Sequence, residues 1–396
     1  MVTFLDLLRH NHNYRHTWMG QIVSEIGDHF NNIAVFSLAL DTTHSGLVVS
    51  GVMLARAIPA VVAGPIAGVL LDRLDRKRVM IASDLIRAVV ALGFILTVHH
   101  HQTWLLYLLS GLLMFASPFF TSGRSAILPT IANKEELHTA NSLTQTTQWT
   151  TLTIGTFLAG ASVMQFGYTG AFCGNALSFL FSAWAISRLR APDQQGFRPP
   201  RKSAGGAGGV HPWEEYMAGL RYMRSNPLIL GIALLGVGWA TGGGAAQILF
   251  SLFGEIVFNR GPAGIGIIWG FAGVGLLIGG ACGHWLGRRI SFSNYKRTIV
   301  ICFVVHGVAY VIFSQMRNFG WALVFICLSR VVMAINSVLN YSQLLRRVEN
   351  RFRGRFFATM ESMVWSVMMI SMTLAGIASQ YYNPRTIAAI AGILSS

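Results

Sequence analysis

Long apolar stretches, each closed by a short polar or basic turn, recur along the whole chain. They run over residues 15–40, 47–71, 79–98, 103–127, 137–165 and 168–189, and then over 227–258, 261–286, 295–314, 320–348 and 352–381. A membrane-spanning helix needs about 20 mostly apolar residues, and these eleven segments meet that length. A shorter apolar stub begins at residue 384. Its last stretch, Arg385 to Ser396, would form about 18 Å of helix at 1.5 Å per residue, against a bilayer core of about 30 Å. The twelfth span is therefore expected to be incomplete. The pattern predicts an all-α membrane protein. No small-residue cleavage site marks a signal peptide, and Phe4, Leu5, Leu7 and Leu8 predict a short interfacial helix before the first span.

Between the sixth and seventh segments lies 190–226. It passes through Arg201-Lys-Ser-Ala-Gly-Gly-Ala-Gly-Gly and ends in a helical stretch near Trp213 to Met223. Gly-rich sequence of this kind is a flexible linker. It divides the chain into a six-helix half at 1–189 and a second half at 227–396. The halves read as a degenerate repeat. Gly68-Val-Leu-Leu-Asp72-Arg73-Leu-Asp75-Arg76-Lys77-Arg78 follows the second segment, and Gly280-Ala-Cys-Gly-His284-Trp-Leu-Gly-Arg288-Arg289 follows the eighth. In this register Asp72 becomes His284. Two related helical bundles facing each other suit alternating access around a central cavity.

Composition supports the membrane reading: 53% of residues are hydrophobic and only 11% are charged. The net charge of +15 does not call for nucleic acid, because the charge is sorted. Lys and Arg gather at Arg9 and Arg15, Arg73 to Arg78, Lys134, Arg188 to Arg224, Arg288 to Arg297 and Arg346 to Arg355, with only Arg260, Arg317 and Arg385 on the other side. The positive-inside rule then places both the N-terminus and the linker in the cytoplasm.

The first segment is polar for a membrane helix. Glu25, Asp28, His29 and Asn32 share one arc of roughly 100°, while Ile22, Ile26, Phe30 and Ile33 lie outside it. Ionisable groups inside a bilayer are costly and face a cavity or a partner. Two readings stand: a proton-coupling site at Asp28, with Glu25, or a helix-tethering ion pair of Asp28 with Arg56 or another intramembrane arginine. Glu361, early in the eleventh span, is a third proton-coupling candidate. Asn141, Gln145 and Gln148, with Trp149, form a stripe on the fifth span. Ser329, Asn336, Asn340 and Gln343 form one on the tenth. Asn32, Gln145, Gln148, Trp149, Asn336, Asn340 and Gln343, together with Trp365 in the Met-rich eleventh span, are the candidate substrate contacts. The alternative for the polar stripes is interhelical hydrogen bonding, and for Trp365 a core or lipid-facing position. Gly242-Gly243-Gly244 predicts a local bend in the seventh span, and the glycines of the eighth predict close packing. The four cysteines lie inside apolar spans without metal-ligand spacing. His99-His100-His101 reads as a solvated loop, so neither a metal site nor a cofactor is expected. Hydrolase, zinc-protease and phosphate-loop motifs are absent, which disfavours an enzyme or an ATP-driven pump.

The Gly68–Arg78 run resembles the signature loop of the major facilitator superfamily of secondary transporters. Ser24-x-x-Gly27-Asp28, Ser83-Asp84-Leu-Ile-Arg87-Ala88, Arg124-Ser-Ala-Ile-Leu-Pro129, Ala140-Asn141-Ser142-Leu143 and Arg353-Gly354-Arg355-Phe356 look like its drug:proton antiporter-3 branch, which includes macrolide-efflux and enterobactin-exporter proteins. The resemblance implies a twelve-span fold of two six-helix bundles and proton-coupled export from the cytoplasm across a bacterial inner membrane. It also implies a gate built from Gly68, Asp72, Arg73, Arg76, Asp84 and Arg87, with Arg76 contacting an acid such as Asp84. Departures are Leu71 for a small residue, Asp75 where glycine is frequent, and Gly155-Thr156 where the antiporter pattern of the fifth span has Gly-Pro. The expected partners are an amphipathic or apolar small molecule, protons and the lipid bilayer, with the chain acting as a monomer. A lipid or siderophore exporter of the same fold, or a non-transporting receptor or scaffold, remains an alternative.

Overall fold

A computed structural model describes residues 3–100, 102–190, 197–198, 212–287, 289–349 and 352–396. The Gly-rich part of the linker, His101, Arg288 and Arg351 lie outside the described residues. Thirteen α-helices account for nearly all of the rest. They are α1 (Phe4–His10), α2 (His12–Thr43), α3 (Gly46–Leu71), α4 (Arg76–His100), α5 (Thr103–Ile131), α6 (Lys134–Ser187) and α7 (Pro212–Ser225). Then follow α8 (Pro227–Leu252), α9 (Gly261–Gly287), α10 (Phe292–Gln315), α11 (Phe319–Arg347), α12 (Arg353–Ala378) and α13 (Pro384–Leu394). Among the described residues, nine helices are long and apolar enough to cross a membrane. α2 fails that test through its polar residues, although its 32 residues are long enough. α6 holds two segments: Gly167 has a φ of 68°, a left-handed conformation that glycine adopts without strain, and it breaks the helix between the predicted fifth and sixth spans. α13 has 11 residues, so the described residues hold the predicted eleven segments and a short twelfth.

The helices sort into two compact units. One comprises 1–201 and the tip of the α8–α9 hairpin, 253–270; the other comprises 202–252 and 271–396. The first unit is organised by the crossing of α2 and α6. Methyl groups added at Gly20 or Gly27 would meet Ser182 and Ser178 of α6, and one at Gly155 would lie 2.6 Å from the His29 ring. Small residues at such crossings bring backbones together where no hydrophobic effect separates helix from lipid. The amphipathic N-terminus forms α1, capped by a Thr3–Asp6 capping box. It buries Leu7 with Tyr14, Leu128, Ile131 and Leu189. Asp75 caps α4 by accepting the Arg78 N–H at 3.1 Å. Lys77 Nζ donates to the Ser187 and Leu189 carbonyls at 2.7 and 2.9 Å. A cation at a helix C-terminus is favourable, and here it ties α4 to the end of α6.

In the second unit, α7 lies against α12: a methyl at Gly219 would meet Thr359, and Tyr222 stacks on Phe352 at 4.6 Å. The Gly242–Gly244 triplet stays within the helix α8. Methyls at Gly242 and Gly244 would collide with the backbones of α13 and α12, so the triplet serves close packing. Its disturbance is an inserted hydroxyl: Ser371 Oγ donates to the Thr241 carbonyl at 2.5 Å and accepts the Ala245 N–H at 3.0 Å. Side chains inserted in the i→i−4 ladder are a known source of helix opening. Five residues in π-helical turn, Phe253–Val257, follow α8.

Gly27→Val is expected to lower the midpoint of thermal unfolding in detergent, because overpacking costs about 1–3 kcal/mol. Gly68→Val, at a position with open space around it, leaves that midpoint within a degree or two. Equal midpoints for the two variants would contradict the role of the α2–α6 crossing.

Candidate functional site

The polar arc of α2 meets two arginines supplied by neighbouring helices of the first unit. Glu25 is fully engaged. Its carboxylate lies 3.3 Å from Arg124 of α5 and accepts from Thr151 Oγ1 of α6 at 2.6 Å and from Gln21 Nε2 at 2.9 Å. One turn further along, Asp28 is not. Its Oδ2 is 3.9 Å from Arg87 of α4, while its Oδ1 is buried without a hydrogen-bond partner. The side chain keeps 26% of its exposure. Arg87 is also in contact with Asp84, one turn before it in α4. Its guanidinium lies 4.8 Å from the Phe120 ring and 4.3 Å from the Phe179 ring. Two acids thus share one guanidinium between aromatic faces.

The ion-pair alternative for Asp28 takes Arg87 of α4 rather than Arg56. Arg56 Nη2 is 3.8 Å from Met114 Sδ, and its Nη1 is buried without a partner. The contact of Arg76 with Asp84 is not formed: the two lie on one helix, about 12 Å apart along its axis at 1.5 Å per residue, and Arg76 donates to the Ala126 carbonyl at 2.8 Å. Asp72 ends α3 through its N–H to Gly68, and Gly68, Asp72 and Arg73 are exposed. Asn32 is half-buried and its Oδ1 has no partner, and the wholly buried Asn31 amide has none at either atom. On α6, Gln145 is exposed, and Gln148 and Trp149 are half-buried. A cleft of about 70 Å³ beside the Glu25 cluster is lined by Tyr14, Trp18, Gln21, Arg124, Asn141 and Thr144.

The stripe on α11 is turned to structural use. Tyr295 Oη of α10 donates to Asn340 at 2.6 Å, and Asn340 Nδ2 donates to Asn336 at 3.1 Å. Gln343 is half-buried, whereas Glu361 and Trp365 are exposed. Sequence reasoning missed two features. Arg124 was noticed only as part of a motif, and its partner Glu25 lies 99 residues away. Arg330 of α11 is a lone cation inside an apolar run, a signal open to a direct reading. It is 9% exposed. Its guanidinium lies 4.9 Å from the Phe250 ring and 6.0 Å from the Tyr310 ring, and among the described residues no carboxylate pairs with it. A desolvated cation–π contact contributes about 2 kcal/mol, less than the several kcal/mol that burying an ion costs. Among the described residues, no cluster of His, Cys, Asp and Glu could hold a metal.

Residues 17–372 match the family model of the Major Facilitator Superfamily. The chain belongs to that superfamily. It is a multi-pass membrane transporter and not an enzyme. Macrolide efflux protein A of Streptococcus pyogenes is 23% identical over 379 residues, covering 93% of this chain and 88% of that protein. The putative bacilysin exporter BacE of Bacillus subtilis is 23% identical, covering 93% and 89%. The enterobactin exporter EntS of Citrobacter koseri is 25% identical, covering 89% and 81%. A bacterial homologue of the iron transporter ferroportin, solved in an inward-facing state, shares the fold with a TM-score of 0.73 at 17% identity over 98% of this chain and 97% of that one. The nucleoside transporter NupG gives 0.72 at 13%, covering 96% of each chain.

In this facilitator, Glu25 and Arg124 form a coupled pair, and breaking such a buried pair costs about 3 kcal/mol. Glu25→Gln and Arg124→Gln are each expected to lower the unfolding midpoint in detergent, and the double variant to lose less than the sum. Strict additivity would show that the contact is energetically idle.

Proposed function

We propose that this facilitator exports a small amphipathic molecule from the cytoplasm by alternating access, in exchange for protons, with Asp28 as the coupling acid. Three of the relatives reported above are named for efflux or export. The sorted Lys/Arg distribution supports a cytoplasmic N-terminus and linker in a bacterial inner membrane. The observation that carries the coupling is the contrast one helical turn apart on α2. Glu25 accepts from three groups, whereas Asp28 leaves one buried oxygen unpaired and shares Arg87 with Asp84.

The chemistry follows from that sharing. When Asp28 is ionised, Arg87 serves two carboxylates. When Asp28 takes up a proton, Arg87 is left to Asp84 alone. Each proton therefore changes the attraction between α2 and α4. A conformational equilibrium can be shifted only by such a difference in interaction between its states. The Gly68–Arg78 loop, tied to α6 through Lys77, lies at the cytoplasmic end of α4 in this reading and carries the change to the gate. The enterobactin exporter among the relatives keeps a siderophore cargo as a second reading.

Efflux of a macrolide, bacilysin and enterobactin from proteoliposomes under an imposed pH gradient tests the proposal. The parent protein is expected to export at least one of them faster with the gradient than without it. Asp28→Asn is expected to bind that cargo yet lose the gradient-driven component, because the amide mimics the protonated acid. Gradient-driven export by Asp28→Asn at the parent rate would remove Asp28 from the coupling role. No gradient dependence in the parent would remove proton exchange altogether.

A further inference from the structure

The second unit contains the cationic half of an ion pair without the acid. No aspartate lies in 202–252 or 271–396, and the glutamates there are Glu214, Glu215, Glu349 and Glu361. Glu361 is exposed, and none of these forms an ion pair with Arg330 among the described residues. Arg330 has five N–H donors, and its Nε is buried without a partner. On the adjacent helix α10, the Tyr310 hydroxyl is likewise buried without a partner; the Tyr310 residue is 2% exposed. The Arg330 guanidinium is 6.0 Å from the Tyr310 ring.

The other polar neighbour is already satisfied. His306 Nδ1 lies 2.8 Å from Ser329 Oγ, and its Nε2 lies 3.3 Å from Ser395 Oγ. The imidazole is thus held between two hydroxyls and does not complete the arginine. Gly275 positions the cation: a methyl there would lie 2.8 Å from Arg330 Cβ, so its absence lets α9 approach α11. The comparison within the molecule is direct. Arg87 and Arg330 both face two aromatic rings, but Arg87 has Asp84 and Asp28 beside it and Arg330 has no acid among the described residues.

We propose that Arg330, with the Tyr310 hydroxyl, binds a carboxylate, and that the carboxylate belongs to the exported molecule. The inference rests on the export reading for the source of the ligand, though not for the existence of the anion site. A guanidinium fork matches a carboxylate with two parallel hydrogen bonds. The Phe250 and Tyr310 rings that face the guanidinium make its surroundings apolar, which suits an organic anion better than a hydrated inorganic one. Burial strengthens the hydrogen bonds to the carboxylate, because the surrounding dielectric is low. The cargo class is an organic anion with an apolar body. A free inorganic anion offers the same charge without the apolar body.

The test uses the full chain purified in neutral detergent at fixed ionic strength. Thermal unfolding is titrated with 2-naphthoate, with 2-naphthalenemethanol as its neutral isostere and with 2-naphthylmethylamine as its cationic one. Naphthoate alone is expected to raise the midpoint saturably. Arg330→Gln abolishes the shift, and Tyr310→Phe weakens the naphthoate affinity about tenfold, as loss of a hydrogen bond to a charged group does. A parallel chloride titration separates the sources. Chloride that leaves the midpoint unchanged supports the organic carboxylate. Chloride that raises it, and displaces naphthoate through Arg330, overturns the cargo assignment. Equal shifts with all three naphthalenes, or a naphthoate shift that survives in Arg330→Gln, overturn the site. If Arg330→Gln does not yield folded protein, Tyr310→Phe decides: unchanged naphthoate affinity overturns the proposal. Binding is read without transport, so failure here leaves pH-driven export to be judged on its own assay.

Discussion

A charge inside a bilayer has to bring its own compensation, and this chain has few acids with which to provide it. Arg56, Arg87, Arg124 and Arg330 lie in the membrane helices, and Glu25, Asp28 and Asp84 of the first unit pair with Arg124 and Arg87. How those acids are allocated determines which parts of the molecule are fixed. Glu25 and Arg124, with Thr151 and Gln21, close into a set in which the carboxylate is fully occupied. Asp84, Arg87 and Asp28 do not close, since one guanidinium serves two carboxylates and one oxygen of Asp28 is left over.

The allocation depends on helix spacing. α2 can present Glu25 and Asp28 to α4, α5 and α6 because Gly20 and Gly27 let its backbone approach the serines of α6. A wider crossing would move Thr151 out of reach of Glu25 and would admit water to Asp28. The Ser-x-x-Gly-Asp run is therefore one device, in which the glycine sets the distance at which the following acid works. In the second unit the small residues act similarly. Gly275 brings α9 onto α11 beside Arg330, and Gly242 and Gly244 bring α8 onto α13 and α12.

Much of the fold was legible in the sequence. Periodic apolar segments separated by basic turns suffice to place helices, because the bilayer requires each span to satisfy its own backbone. Even the break at Gly167 lies where the apolar pattern changes. Partners were less legible. The polar arc of α2 can be read from 100° steps, but the arc does not say which acid meets which arginine. Glu25 and Arg124 are far apart in sequence, and both were ordinary members of their helices until packed. The stripe on α11 is ambiguous in the sequence for a related reason. Asn336 and Asn340 share a face, yet Tyr295 on α10 absorbs that face into hydrogen bonding. The glycines of α9 are packing residues as their density suggests, whereas the packing of Gly242 and Gly244 of α8 against α13 and α12 is invisible in the sequence, because a run of three looks the same whether neighbours support it or not.

The central claim is that Asp28, and not Glu25, exchanges the proton. Difference infrared spectroscopy of the reconstituted protein during a pH titration reads this directly, since a protonated carboxyl has a carbonyl stretch that an ionised one lacks. A protonated-carboxyl band that grows as pH falls is expected. It should vanish in Asp28→Asn and persist in Glu25→Gln. A band that persists in Asp28→Asn and disappears in Glu25→Gln would contradict the account.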